Sequence, residues 1–311
     1  MIRFLLVLAL VGCGGQTVSP QDPAPAPASR ARAPATDASA QAAYDAKQWD
    51  ACGEQYTELA ATGPGNVQRL MLWNAARCHA MGGKVDLAFA RMNEVVASGM
   101  LDTDRVQKEE DLARLHGDPR WGELIAAMER SIAALKAPEL RKELLALFKD
   151  DQAAREVLIE KKKRGEEVDW DSLKAIDENS SQALKRAIAQ YGWPGKSLVG
   201  DDGTHAAWLL VQHADHDVAL QKDVLARMKP MVATGEVRKA DYAYLEDRVA
   251  VAEHRKQRYG TQFKDGEPQP IEDEAHVDER RKDVGLGTMA EYHAEMRKVY
   301  GAMMDKPAAA K

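Results

Sequence analysis

From Ser39 onward, apolar side chains recur every three or four positions along the chain, and no stretch sustains a two-residue alternation. A 3.6-residue period places such side chains on one face of a helix, whereas strands need alternation. Cys52, Tyr56 and Leu59 share one predicted face, Leu72, Ala76 and His79 a second, and Ala88, Met92 and Val95 a third. Pro138 to Arg164 reads as a charged amphipathic helix with Leu140, Leu144, Leu147 and Phe148 on its apolar side. Leu173, Ile176, Leu184, Ala187, Ile188 and Tyr191 mark the next face, before Gly192-Trp193-Pro194-Gly195 breaks the chain. Thr204 to Asp215, Ala219 to Val232, Asp241 to His254 and Met289 to Tyr300 complete an all-α set with no substantial sheet.

The first residues follow another pattern. Met1 to Gly12 carries Arg3 and then an apolar run far shorter than the roughly 20 residues a spanning helix needs. It fits the apolar region of a secretory signal. Leu10-Val11-Gly12-Cys13 resembles the lipobox of bacterial lipoproteins. That resemblance implies cleavage before Cys13, acylation of its thiol and amine, and a stable two-signal anchor in a membrane. Gly14 in place of Asp implies, by the same resemblance, release to the outer membrane. Gln16 to Ala38 is rich in Pro, Ala and Ser with almost no large apolar side chains, so it reads as a semi-stiff tether. The predicted organisation is a signal at 1–12, a lipidated cysteine and linker at 13–38, a helical domain at 39–137, a second helical domain at 138–301 and a disordered tail at 302–311.

About 36 residues separate the Cys52 face from the Ala88 face, close to the period of tetratricopeptide hairpins. Residues 39–130 resemble two such hairpins, with Leu87 to Gly99, Asp111-Leu112-Ala113 and Asp118-Pro119-Arg120-Trp121 resembling a closing piece. The resemblance departs from the family at Cys52, where Ala is usual, and at the turn from Thr62 to Asn66. It implies a concave groove for a protein or envelope-polymer partner. Two repeats can equally form no more than a packed accessory domain.

Composition sharpens this picture in three ways. Ala, Leu, Glu, Lys and Arg dominate and only 6% of residues are aromatic, which favours helices. The net charge of −6 is interleaved along the chain with no basic stripe, which argues against nucleic acid. Of three cysteines, Cys52 and Cys78 remain once Cys13 is lipidated, and an even pair in an exported chain points to a disulfide. Two small buried thiols are the alternative.

The second domain carries the unusual chemistry. Asp150-Asp151-Gln152, Tyr191-Gly192-Trp193-Pro194, His205 through Asp215, Ala243 through Val249, and Gln257 through Phe263 occur in that order. Together they resemble the blocks of an uncharacterised family of bacterial helical domains, over about Glu139 to Tyr300. That resemblance supplies a boundary and no activity.

His205, Trp208, Gln212 and His216 fall at helical spacing on one face, with His213 and Asp215 at its edges. Asp247, Arg248, Tyr259, Thr261 and Gln262 add a carboxylate, a guanidinium fork, a phenol, a hydroxyl and an amide, groups that position anions or amides. These eleven residues form a candidate ligand site. Polar groups packed between helices also bond one another, so a closed structural network is the alternative. Two functions follow: a membrane-anchored binding module, or a hydrolase, perhaps metal-assisted, using His213, Asp215, His216 and Asp247. His213 and His216 would be the metal ligands. A histidine-aspartate phosphohydrolase draws its metal histidines from separate helices, whereas His205, His213 and His216 are read here on one. No HExxH, paired CxxC, GxSxG or GxxxxGKS string occurs, and no cofactor is indicated.

Overall fold

The computed structural model describes residues 34–62, 65–264 and 266–300. Cys13, the signal at 1–12, most of the linker and the tail at 302–311 lie outside the described residues. The chain is all-α. Its helices are α1 (Asp37–Asp45), α2 (Trp49–Thr62), α3 (Gly65–Met81), α4 (Val85–Ala97), α5 (Thr103–Lys108), α6 (Pro119–Ala133), α7 (Pro138–Lys163), α8 (Lys174–Tyr191), α9 (Lys196–Gln212), α10 (Val218–Ala233), α11 (Lys239–Ala252), α12 (Val277–Asp283) and α13 (Met289–Tyr300). The one strand pair described, β1 (Phe263–Lys264) with β2 (Glu267–Pro268), is antiparallel and two residues long. Among the described residues no helix is long and apolar enough to cross a membrane.

The chain divides into two compact units, one reaching to Ser98 and adding Gln107–Gly122, the other formed by Gly99–Val106 and everything from Glu123. In the first unit α1 packs on α2, α2 on α3 and α3 on α4, each against its neighbour in sequence. Helix α1 starts at Asp37, inside the stretch read as linker, because Thr36 and Ser39 cap it reciprocally: each backbone N–H donates to the other's hydroxyl, at 3.0 and 3.1 Å. Cys52, Ala76, Cys78, Ala88, Met92 and Val95 are fully buried, so the predicted faces are the packed ones. A Cys52–Cys78 disulfide joins α2 to α3. Arg77 ties three elements together: its guanidinium donates to Asp111 at 2.9 Å and to the Tyr44 hydroxyl at 3.1 Å, and Tyr44 donates to Asp111 at 2.6 Å. Burial and that carboxylate, opposed by Arg77, push the Tyr44 hydroxyl up to about 12.

The second unit is built on α7 and α9, flanked by α8, α10 and α11. Leu140, Leu144, Leu184, Ala207, Leu210, Val211, Val224 and Leu245 form part of one continuous core. Gly192 ends α8 at a φ of 76°, as the Gly-Trp-Pro-Gly break requires. Gly200, at φ 77° and ψ 168°, kinks α9, so the long helical segment carrying the candidate residues runs from Asp201 to Gln212. Tyr191, expected on the apolar face of α8, is instead 44% exposed at the helix's last position.

Candidate functional site

Helix α9 ends at Gln212 and His213 is its C-cap, so the imidazole sits where the helix dipole is negative. His213 Nδ1 lies 3.0 and 2.9 Å from the two carboxylate oxygens of Asp151 on α7. Asp151 is fully buried and also accepts from Arg155 at 3.0 Å and Gln152 at 2.8 Å. Burial pushes its carboxyl up, but the hydrogen bond and charge of His213, with Gln152 and Arg155, outweigh that and hold it below the usual carboxylate range.

Asp247 is also fully buried, on α11. It accepts from the backbone N–H groups of Arg258 (2.6 Å), Tyr259 (3.0 Å) and Thr261 (2.9 Å), and from the Thr261 hydroxyl at 2.9 Å. The loop it holds turns at Gly260, whose φ is 70° and where a Cβ would fall 2.5 Å from the Met289 sulfur. Gln257, fully buried, closes the same loop: its amide donates to the carbonyls of Gln262 and Gln269 and accepts from Gln262 N–H at 2.8 Å. Gln262 Nε2 donates back to Thr261 Oγ1 at 3.0 Å. Arg281, 1% exposed, donates to the Tyr259 carbonyl at 2.7 Å. The Tyr259 hydroxyl meets Glu246, and burial first, then that carboxylate, push it up to about 12.

Arg248 Nε donates to Gln212 Oε1 at 2.8 Å, and its Nη1 to both oxygens of Asp215 at 2.7 and 2.8 Å. Gln221 adds a 3.2 Å bond to Asp215. His205 Nδ1 lies 3.3 Å from Asp241, its ring stacked on Trp208 at 4.9 Å, and Trp208 meets the edge of Tyr244 at 5.8 Å. Three buried atoms in this region find no partner within the protein: Trp208 Nε1, Gln212 Nε2 and Gln221 Oε1.

A family of unknown function, DUF6624, matches residues 138–305, just over half of the chain. The chain belongs to this family. No curated protein matches it, and no solved structure does. The DUF6624 domain therefore carries all eleven residues of the sequence-predicted site.

Within the DUF6624 domain those residues fall into separate groups. His213 joins Asp151; Asp247 joins Thr261, the Tyr259 backbone and Gln262; Arg248 joins Gln212 and Asp215; His205 joins Trp208 and Asp241. His216 is not on the helical face expected for it. It lies in the exposed turn after α9, because Asp217 caps α10, accepting from Leu220 N–H at 3.0 Å, and the chain must leave α9 to reach that cap. The four residues of the hydrolase reading are thus split: His213 faces Asp151, Asp215 faces Arg248, Asp247 faces its loop, and His216 is exposed. Among the described residues no three or more His, Cys, Asp or Glu side chains are grouped so as to hold a metal ion, His213 and His216 included. Sequence reasoning missed Asp151, Asp241, Gln221, Gln257 and Arg281 as partners. Of these, Asp151 and Gln257 stood within quoted blocks, and Asp241, Gln221 and Arg281 give no local signal.

Two open clefts lie on the first unit. One, of about 560 Å³, is lined by Tyr44, Asp45, Lys47, Trp49, Met81 and Arg114. The other, of about 340 Å³, is lined by Glu54, Thr57, Glu58, His79, Leu87 and Arg91. In the second cleft His79 is 4% exposed and its Nδ1 has no partner within the protein, an omission that costs about 1–3 kcal/mol in a buried group. Burial, then the neighbouring Lys84 and Arg91, push its pKa down. Leu87 stands 44% exposed beside it.

Proposed function

We propose that this chain is an exported, outer-membrane lipoprotein, anchored through Cys13, that works as a binding module for a protein or envelope-polymer partner. The Pro/Ala-rich tether would carry the folded part off the bilayer. The first unit, read as a short tetratricopeptide-like array, makes the partner contact, and the DUF6624 domain follows it in the chain as a structural unit. The observation that carries this reading is the contrast between side chains engaged with one another in one unit and open clefts on the other. The unusual polar residues of the DUF6624 domain are mostly engaged with one another, whereas both described clefts open on the first unit. A hydrolase needs its acid, base and ligand groups within hydrogen-bond reach of one substrate position, and His213, Asp215, His216 and Asp247 do not share one.

One cell experiment tests anchor and partner together. A photo-crosslinking residue is placed at Leu87 in the first unit or at Val157 on α7, 44% and 56% exposed, in the wild-type chain and in Cys13→Ser. The wild-type chain fractionates with outer membranes, carries acyl mass on Cys13, and gives a discrete adduct from Leu87 and none from Val157. Cys13→Ser stays uncleaved or becomes soluble. An unacylated wild-type chain starting at another residue contradicts the anchor; adducts from Val157 but not Leu87 contradict the assignment of contact to the first unit.

A further inference from the structure

We propose that the open cleft beside the α1–α2 turn takes an acidic segment of a protein partner, with a carboxylate at Lys47 and Arg114 and an apolar side chain against Trp49. This rests on the binding-module reading and names the chemistry of its contact. The cleft, of about 560 Å³, is walled by Tyr44 and Asp45 at the end of α1, Lys47 in the turn, Trp49 at the start of α2, Met81 at the end of α3 and Arg114 in the 3₁₀ turn Glu110–Leu115. Lys47 and Arg114 are exposed, and among the described residues neither makes a hydrogen bond or an ion pair. Asp45, the one carboxylate in the lining, already accepts from Gln41 Nε2 at 2.9 Å. The cleft is therefore net positive: a cationic occupant would be repelled, and a neutral one would leave Lys47 and Arg114 unpaired. The aromatic part of the lining is fixed in place. Trp49 meets the edge of Tyr44 at 5.6 Å, Arg77 covers the Tyr44 ring at 5.2 Å, and Trp49 packs against Gly82, where a Cβ would come within 3.0 Å of its own Cβ. A half-buried, rigid indole beside a guanidinium is the kind of anchor on which a protein contact is centred.

The backbone of the turn points to a ligand independently of the lining. Lys47 N–H donates to the Tyr44 carbonyl at 2.9 Å and Gln48 N–H to that of Ala43 at 2.8 Å, so α1 closes in a turn whose residue after the C-cap Ala46 is left-handed. The same pair of bonds closes α3 and α7, and there the position holds Gly83 and Gly165, each at φ 75°. Lys47 takes it at φ 56°; it is one of three described non-glycine residues with a positive φ, and it alone of the three lines a described cleft. Folding gains nothing from a lysine there, because glycine fits the turn with less strain and Lys47 has no partner within the described residues to offset the difference. A cation held against the preference of its own backbone, unpaired and in the lining of a cleft, is placed for a group outside the chain.

The test is an NMR titration of the full chain with acetyl-Phe-Asp-amide, with acetyl-Phe-Asn-amide as the uncharged isostere and digalacturonate as a carboxylate source that lacks the apolar side chain. The Phe-Asp probe should give saturable shifts at the Lys47 amide, the Trp49 indole N–H and the Arg114 side chain, with a dissociation constant on the order of 1 mM for so small a ligand. The Phe-Asn probe, digalacturonate, and the Phe-Asp probe on Arg114→Gln should each bind roughly threefold more weakly, and added salt should weaken the Phe-Asp probe but not the Phe-Asn probe. Lys47→Gly should weaken the Phe-Asp probe to the same extent while leaving the first unit's melting temperature unchanged or higher. A melting temperature that falls in Lys47→Gly, equal response to the Phe-Asp and Phe-Asn probes, digalacturonate binding as tightly as Phe-Asp, or no saturable shift at these residues overturns the inference. A discrete adduct from Leu87 without such binding would leave the partner reading standing and remove only this assignment.

Discussion

Asp247→Ala should unfold the carboxy-terminal part of the DUF6624 domain at a markedly lower temperature. The carboxylate answers three backbone N–H groups and one hydroxyl of the Arg258–Thr261 loop, and it is fully buried. Stranding those donors costs about 1–3 kcal/mol each where water cannot reach them, for a total of about 3–5 kcal/mol once partial rehydration is allowed. For a domain of this size that corresponds to a fall of roughly 10 °C or more in melting temperature. Amide exchange at Tyr259 and Thr261 should accelerate first, because these N–H groups lose their acceptor. A ligand-binding carboxylate would behave oppositely, its removal leaving both melt and exchange nearly unchanged.

Replacing both Cys52 and Cys78 by Ala should destabilise the first unit by about 3 kcal/mol, the effect of a cross-link spanning 26 residues. The unit it staples is small, and a unit of this size leans on its cross-links. Differential scanning calorimetry with and without reductant should show the first unit's transition falling by more than about 10 °C while that of the DUF6624 domain stays put. Alkylation of both thiols in unreduced protein from the cell envelope would show that the bond does not form there.

How much of this was legible in the sequence depends on range. The helices were, because Leu140, Leu144, Leu184, Ala207, Leu210 and Val211 repeat at helical spacing and the same residues form the core. The break after Tyr191 was legible from Gly192 and Pro194, and the disulfide from an even pair of cysteines. The kink at Gly200 was not, since one glycine within a helical pattern has no unique meaning. His216 was misplaced although a signal was present: Asp217 before Val218 is an N-cap, and it ends the preceding helix by starting the next. The Tyr-Gly-Thr-Gln segment read as ligand chemistry because its side chains are polar. Its role in the fold is set by backbone N–H groups, which a sequence does not display, and by a carboxylate on α11. The 62-residue separation of Asp151 from His213 is likewise invisible to any local pattern.

The central claim, that the polar set of the DUF6624 domain is a structural network, is tested most directly by the melting temperature of His213→Ala across pH. His213 answers a buried carboxylate that Arg155 and Gln152 answer only in part. Removing it should cost about 1–3 kcal/mol near neutral pH, a fall of several degrees. Asp151's folded pKa is depressed, so its stabilisation is present above the unfolded carboxyl value of about 4 and is lost as pH falls through the lower folded value. The gap between wild type and His213→Ala should therefore be wide at pH 7 and narrow in acid. A variant that melts with or above the wild type at pH 7 would contradict the account and mark His213 as a residue kept for binding or chemistry.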